Sequence, residues 1–255
     1  MRRVWQFCLL SLSFILATFT FAPPDVARSF GFWQGSLVSG QTTCHQPPTN
    51  PHSSEICNLD RVAADWGVFC EGMPTWRKEN VATPSIDGES LRVSLTDGGS
   101  GYSNAHFYRE FAPEPNAVAF TLSLSFRFDQ TTCNNNQGMP SVVQALEFTM
   151  NKWQQALRYE FALQWQNVGD GAPQWRYWDP HRAAPDRWVP FNPPIIQCLA
   201  PEQWHTLTLE GEINNGRVRY RRFTINQQSH NLNSVAERLD LREWKNPRFH
   251  LYFAN

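Results

Sequence analysis

Apolar and polar residues alternate along much of the chain from about residue 61 onward. The longest run of strict alternation covers 118–128. Shorter runs of the same kind cover 91–96, 145–151, 158–166, 206–210 and 249–253. A period of two places the apolar residues on one face of a β-strand and the polar residues on the other. We therefore predict strands that have one buried and one wetter face.

Turn-forming residues separate these runs, and the sequence Asn214-Asn215-Gly216 is a strong hairpin signal. Roughly ten mostly antiparallel strands with this patterning predict an all-β fold, a two-sheet antiparallel β-sandwich. We predict one short helix near 234–242, where Ser234 and Glu237 have capping-box spacing.

The outward faces of the predicted strands carry Thr, Ser, Gln, Glu and Arg, with few Lys. Such a face can be an ordinary solvated surface. It can equally form the floor of a ligand groove, and the pattern leaves both alternatives open.

The amino-terminal residues predict export. Met1-Arg2-Arg3 precedes a run without charged residues that ends at residue 22. This is the pattern of a secretory signal sequence over 1–22, with a single membrane anchor as the alternative. Residues 23–60 are rich in Pro, Ser and Thr and predict a flexible or disulfide-tied segment before a sandwich domain over 61–255. We expect the protein to be secreted, or located at the cell surface or in the periplasm.

The cysteines favour disulfides over a metal site. The chain contains Cys8, Cys44, Cys57, Cys70, Cys133 and Cys198. Cys8 lies in the predicted signal, and an exported chain would pair four of the other five. We favour a Cys133–Cys198 bond, because each lies in a loop that flanks the central strands, with a second bond among Cys44, Cys57 and Cys70. Zinc is the rival interpretation, but the spacing matches no compact zinc knuckle.

The overall charge excludes some partners. Lys and Arg total 22 and Asp and Glu total 23, so the net charge is -1. We expect no nucleic-acid partner, and no membrane contact beyond a possible uncleaved signal anchor. The serine-hydrolase, phosphate-loop and dinucleotide motifs are absent from the sequence, so we expect no cofactor. We expect a monomer.

Two glutamates suggest possible catalysis. If Asn151 pairs with Ala156 across a short turn, Glu147 faces Glu160, with Cβ atoms about 5 Å apart. Two carboxylates at that separation suit the acid and the nucleophile of a retaining glycosidase, and one would have a raised pKa. The alternative is that Arg158 neutralises one or both carboxylates in a cross-strand salt bridge.

Tryptophans are frequent near these strands, and the chain contains 11 in total. An indole ring can stack on the apolar face of a sugar, and amide or carboxylate groups can bind its hydroxyls. We expect Trp165 to lie in the core, and Trp178 and Trp188 to be the better ligand candidates. The predicted carbohydrate site comprises Thr149, Asn151, Arg158, Gln164, Gln166, Trp175, Trp178 and Trp188.

Several short motifs resemble one known superfamily. They are Trp66 ahead of Cys70, and the segments 84–88, 143–148, 175–179, 204–205 and the closing apolar strand. Over about residues 61–255 the chain resembles the concanavalin A-like lectin/glucanase superfamily, specifically secreted bacterial jelly-roll proteins of mostly unknown role. The resemblance implies a jelly roll whose concave face holds an oligosaccharide.

The glucanases of that superfamily carry the motif E-x-D-x-x-E on one strand, and this chain has Glu147 at the first position only. Thr149 replaces the Asp and Lys152 replaces the acid/base, so glycosidase activity would need another partner such as Glu160. The lectins use calcium ligands in Asp/Asn-rich loops, but the run 134–137 has only Asp129 nearby, so we predict no metal site.

Three functions therefore remain open. We expect first a lectin-like, carbohydrate-binding protein whose partner is a polysaccharide or glycan. The alternatives are a polysaccharide-degrading enzyme, a glycoside hydrolase or lyase centred on Glu147 and Glu160, and a structural or adhesive domain without a small ligand.

Overall fold

A computed structural model describes residues 4–6, 10–13, 45–46, 59–71, 75–96, 104–111, 116–129, 145–154, 157–167, 173–182, 187–233, 235–236, 239–240 and 248–254. Two short 3-10 helices cover Leu59–Arg61 and Ala63–Asp65. No helix in these ranges is long and apolar enough to cross a membrane.

The strands follow one another along the whole described chain. They are β1 (Val4–Gln6), β2 (Leu10–Ser13), β3 (His45–Gln46), β4 (Gly67–Glu71), β5 (Thr75–Val81), β6 (Ser90–Thr96), β7 (Asn104–Glu110), β8 (Ala119–Arg127), β9 (Ala145–Gln154), β10 (Leu157–Gln166), β11 (Gln174–Trp178), β12 (Trp188–Ile196), β13 (His205–Asn214), β14 (Arg217–Ile225), β15 (Gln228–Asn231), β16 (Val235–Ala236), β17 (Leu239–Asp240) and β18 (Arg248–Ala254).

Two large sheets form a sandwich. The nine-stranded sheet has the order β12-β11-β10-β9-β18-β7-β4-β3, with β17 also beside β10. The seven-stranded sheet has the order β1-β8-β13-β14-β15, with β2 also beside β8 and β16 beside β14. Strands β5 and β6 form a separate pair. Within the described chain, the only parallel pairings are those of β1 and of β2 with β8. The predicted all-β, two-sheet antiparallel β-sandwich is confirmed.

Aromatic side chains fill the space between the sheets. Trp165, Phe161 and Phe126 are fully or almost fully buried there, as the alternation of their strands predicts. Gly211 of β13 lies against two of these rings, since a Cβ atom there would lie 2.7 Å from ring atoms of both Phe120 and Phe161. Any larger residue at position 211 would force these rings to move.

The predicted short helix near 234–242 is wrong. Val235–Ala236 forms β16 against β14, and Leu239–Asp240 forms β17 against β10. Capping-box spacing is a purely local signal, whereas the neighbouring strands offer backbone hydrogen-bonding groups that a short strand can satisfy. Ser234 and Glu237 lie outside the described residues.

The domain boundaries stay predictions. In the described chain, residues 4–6 and 10–13 lie beside β8, and Leu59 is already part of the core. The indole Nε1 of Trp66 donates to the Leu59 carbonyl over 2.7 Å. Neither observation tests the predicted signal sequence at 1–22.

The two described cysteines, Cys70 and Cys198, are both disulfide-bonded. Cys70 lies on β4 and Cys198 follows β12, so six strand spacings of about 4.8 Å each, roughly 29 Å, separate them across the sheet. Bonded cysteines have Cα atoms within about 7 Å, so the two are not bonded to each other. Cys133 lies outside the described residues, and the Cys133–Cys198 bond stays a prediction.

Candidate functional site

One face of the nine-stranded sheet is polar and points away from the core. We call it the polar face. Its described side chains on β9 to β12 are Glu147, Thr149, Asn151, Trp153, Arg158, Glu160, Gln164, Gln166, Gln174, Arg176, Trp178 and Trp188. Thr149, Asn151, Glu147 and Gln164 are buried, while the other members are partly exposed. The centre of this face is therefore shielded from solvent and its border is open.

The β9–β10 register separates the two candidate catalytic residues. Leu157 pairs with Gln154, so Glu147 lies opposite Gln164 and Glu160 lies opposite Asn151. The prediction that Glu147 faces Glu160 is wrong, because the connection is shorter than the predicted four-residue loop. The two carboxylates are four positions apart along the strands, about 13 Å, which exceeds the separations that glycosidase acid pairs use.

Arg158 forms an ion pair with Glu160 along one strand. The Arg158 guanidinium NH2 lies 2.9 Å from Glu160 Oε2, whereas the predicted salt bridge crossed between two strands. Burial raises the pKa of the Glu160 carboxyl, and the charge of Arg158 opposes that shift. The raised pKa follows from burial and not from the neighbouring carboxylate that the sequence suggested.

A chain of hydrogen bonds crosses three strands of the polar face. The Arg176 guanidinium donates to the side-chain oxygen of Gln164, and Gln164 Nε2 donates to Glu147 Oε1 over 2.5 Å. Burial lowers the pKa of Arg176 to about 10, and the charge of Glu147 opposes this effect. The side-chain amide of Gln164 therefore links the Arg176 cation to the Glu147 anion.

Tryptophan rings border the polar face at β11 and β12. Trp178 pairs with Trp188, and their ring centroids lie 5.0 Å apart at 62°. The Arg187 guanidinium lies 5.8 Å from the Trp178 ring centroid, and at the other end Arg158 lies 5.5 Å from that of Trp153. Both favoured ligand candidates, Trp178 and Trp188, thus lie on the polar face.

Trp175 lies on the opposite side of β11, in the core. Its ring is 0% exposed, it packs 4.8 Å from the Phe223 ring centroid, and its Nε1 donates to Gln197 Oε1 over 3.0 Å. The prediction that Trp175 binds carbohydrate is wrong, because alternation along β11 sends Arg176 and Trp178 to the polar face and Trp175 inward. Trp165 is in the core as predicted.

Several buried polar atoms of the polar face have no hydrogen-bond partner among the described residues. The donors are Trp153 Nε1, Arg158 Nε, Arg176 Nε and Trp178 Nε1, and the acceptors are Asn151 Oδ1 and Glu160 Oε2. Glu160 Oε2 has the ion-pair contact with Arg158 but no aligned hydrogen bond. Because buried polar groups are normally satisfied, these six atoms, out of 13 of this kind among the described residues, need an explanation.

The site residues predicted from the sequence do not include Trp153, Arg176 or Arg187. Alternation along the strands could have identified the first two. Trp153 lies an even number of positions after Glu147, and Arg176 lies two positions before Trp178, so each shares a face with a predicted site residue. A further pair lies across the sheet, where the Phe69 and His106 rings stack with centroids 4.0 Å apart. His106 pairs with Tyr252, which in turn pairs with Glu147, so this aromatic pair lies in line with Glu147.

No group of three or more His, Cys, Asp or Glu side chains suited to a metal ion occurs in the part of the chain that the structure describes. The Asn-rich run 134–137 lies outside it.

Comparisons with known proteins give little to place beside this geometry. No protein-family model matches the chain, and no curated protein matches it. Among solved structures, a chain titled Bacillus licheniformis beta-glucanase is similar over 85% of this chain and 83% of its own length, at 7% identity and a TM-score of 0.28. A likeness at that score carries no argument about the site.

Proposed function

We propose that the protein binds a glycan through the polar face. The observation that supports this is the group of six buried polar atoms without a hydrogen-bond partner among the described residues, next to the tryptophan rings of the same face. A ligand with many oxygens would satisfy these atoms, and the rings would cover the apolar faces of its sugars.

The remaining side chains suit the same kind of ligand. Thr149 and Asn151 lie at the buried centre, and Gln166 lies at its border. Hydroxyl and amide groups both donate and accept hydrogen bonds, as sugar hydroxyls do. Because these side chains stand on neighbouring strands of a sheet, their spacing is fixed before a ligand arrives, which limits the entropy cost of binding.

Binding without catalysis is favoured over a glycosidase. The separation of about 13 Å between Glu147 and Glu160 leaves neither carboxylate close enough to act as the other's partner. We also propose that the protein is exported, because the disulfide-bonded state of Cys70 and Cys198 suits an oxidising compartment. A structural or adhesive role without a small ligand is an outcome of the test below.

The test is a binding screen of the full chain against soluble and insoluble polysaccharides, scored for retention and for release of reducing ends or unsaturated products. We expect retention without product for at least one polymer. Trp178→Ala should weaken that binding about tenfold through loss of one stacking surface. Thr208→Ala, on the seven-stranded sheet, is the control and should bind as the wild type does.

Two results would overturn the proposal. Failure of every polymer to bind would leave the structural or adhesive role. Product release that Glu147→Gln abolishes would show an enzyme, whereas a binding protein with that substitution should keep most of its affinity.

A further inference from the structure

The unpartnered atoms of the polar face are mainly donors. Arg Nε and Trp Nε1 can only donate hydrogen bonds, and these account for four of the six atoms. A neutral sugar hydroxyl carries one donor beside its two acceptor lone pairs, so a row of hydroxyls brings protons for which this donor-rich set offers only two unpartnered acceptors. A carboxylate or sulfate offers oxygens that only accept, and therefore matches this set better.

The charges of the polar face point the same way. Arg158 and Arg176 stand on the face, and Arg187 lies over the Trp178 ring, against the two carboxylates Glu147 and Glu160. Of these five side chains three are cationic and two are anionic, on a chain whose net charge is -1.

Each of the two carboxylates has a neighbouring donor that weakens its repulsion of an anion. Gln164 donates to Glu147, and this amide in turn is held by Arg176. Glu160 is paired with Arg158, and its burial favours the protonated, neutral form. The side chains of Arg158 and Arg176 are partly exposed, and a guanidinium can hold a second anion beside the first.

We infer that the ligand of the polar face is an anionic glycan, one whose sugars carry carboxylate or sulfate groups. The inference rests on the proposed function, since it names the ligand class of the same face. Arg158 and Arg176 would contact the anionic groups, and the tryptophan rings would contact the sugar rings between them.

The test compares polymers that differ only in charge. Polygalacturonate is measured beside the same polymer after reduction of its carboxyl groups, and dextran sulfate beside dextran. We expect an acidic polymer to bind at least tenfold more tightly than its neutral counterpart, with an affinity that falls as salt rises. The two acidic polymers distinguish a carboxylate ligand from a sulfate ligand.

The outcomes separate the two proposals. Equal binding within both polymer pairs would overturn the anionic ligand and leave glycan binding intact. No binding to any polymer, neutral or acidic, in the wider screen would overturn the proposed function itself.

Matched arginine substitutions locate the contact. Arg176→Gln should lower affinity for the acidic polymer at least tenfold and affinity for the neutral one by a clearly smaller factor. Arg222→Gln, on the seven-stranded sheet, should change neither. Should Arg176→Gln fail to fold, Arg187→Gln replaces it, because Arg187 is exposed and its removal leaves no buried gap. Equal losses for the acidic and neutral polymers would contradict a direct anion contact.

Discussion

Each of the two sheets of the sandwich has one polar face that points away from the core, and the charged side chains of the two faces differ in how completely they are paired. On the outer face of the seven-stranded sheet, Arg219 and Arg221 both pair with Glu212, at 3.5 and 3.4 Å, and Arg222 pairs with Glu210 at 3.3 Å. None of these side chains has a buried polar atom without a partner among the described residues.

The polar face of the nine-stranded sheet has charged groups of the same types but leaves several of their atoms without partners. The arginines also differ in exposure, since the Arg221 side chain is 56% exposed and that of Arg158 is 23% exposed, whereas their partners Glu212 and Glu160 are similarly buried. Ion pairs between neighbouring strands are sufficient to explain the charged residues of the outer face of the seven-stranded sheet. The polar face combines partial desolvation with an incomplete set of internal partners, and this contrast is the basis on which we propose it as the binding face.

The largest expected effect comes from breaking the polar network. Arg176→Ala should lower the free energy of unfolding by roughly 2 kcal/mol or more. The substitution removes the donor to the Gln164 side-chain oxygen and leaves the buried Glu147 carboxylate without the cation at the other end of the hydrogen-bond chain. Arg222→Ala, at an exposed ion pair, should cost less than about 1 kcal/mol. Urea unfolding of both variants measures the difference, and equal losses would remove the distinction between the two faces.

The next effect concerns the link between the sheets. The Tyr220 hydroxyl accepts from the Ala162 N–H over 3.0 Å and lies 3.2 and 3.3 Å from the carbonyls of Ala162 and Trp178. It therefore fixes the backbone of β11 at Trp178 from across the core. Tyr220→Phe should lower the free energy of unfolding by about 1–3 kcal/mol, since it leaves buried backbone groups without a partner.

Tyr177→Phe is the matched control for Tyr220→Phe. The two rings pack 5.3 Å apart, but the Tyr177 hydroxyl makes no hydrogen bond to another described residue, so its removal should change stability little. A loss as large as that of Tyr220→Phe would show that the destabilisation does not depend on the hydrogen bonds of the Tyr220 hydroxyl. Binding to the glycan should weaken only in Tyr220→Phe.

The sequence predicts the strands of this protein well and their pairing poorly. Alternation identified the core side of β8, β9 and β10, because burial imposes a period of two on each strand separately. The register between β9 and β10 depends on the length of the turn at 155–156, which alternation does not report. A shift of four positions kept every side chain on its face and still moved Glu147 away from Glu160.

The candidate site was predictable in its composition but not in its partners. Polar residues on alternate positions of β9 and β10 indicated one face, yet nothing in the sequence said whether water or protein would cover it. Trp175 was misplaced because residue type was given more weight than its position between Gln174 and Arg176. The parity of β11 would have placed Trp175 in the core and Arg176 on the polar face.

Burial also makes the polar face sensitive to pH. The raised pKa of Glu160 means that the folded protein keeps a proton that the unfolded chain loses near pH 4.5. Stability should therefore fall as pH rises above about 4.5, until folded Glu160 has lost its proton. Glu160→Gln should remove this part of the decline, and an unchanged pH profile in chemical denaturation would contradict the assignment.

A second buried carboxyl needs its own variant in that experiment. Burial raises the pKa of Asp60 to about 7, so Asp60 adds a decline in stability between about pH 3.8 and pH 7. Asp60→Asn should remove that portion and leave the contribution of Glu160. The double variant should then show the flattest profile of the four proteins.

The smallest effect is expected on the outer face, and it completes the comparison. Glu212 pairs with both Arg219 and Arg221, so Glu212→Gln removes two ion pairs at once. The Glu212 side chain is only 11% exposed, but both arginines are about half exposed, so the pairs are screened by salt and the loss should be about 1 kcal/mol and should shrink at high ionic strength. A loss of several kcal/mol that persists in high salt would mean that the outer face also depends on buried charge. In that case unpartnered buried atoms, and not buried charge as such, would remain the feature that separates a binding face from a structural one.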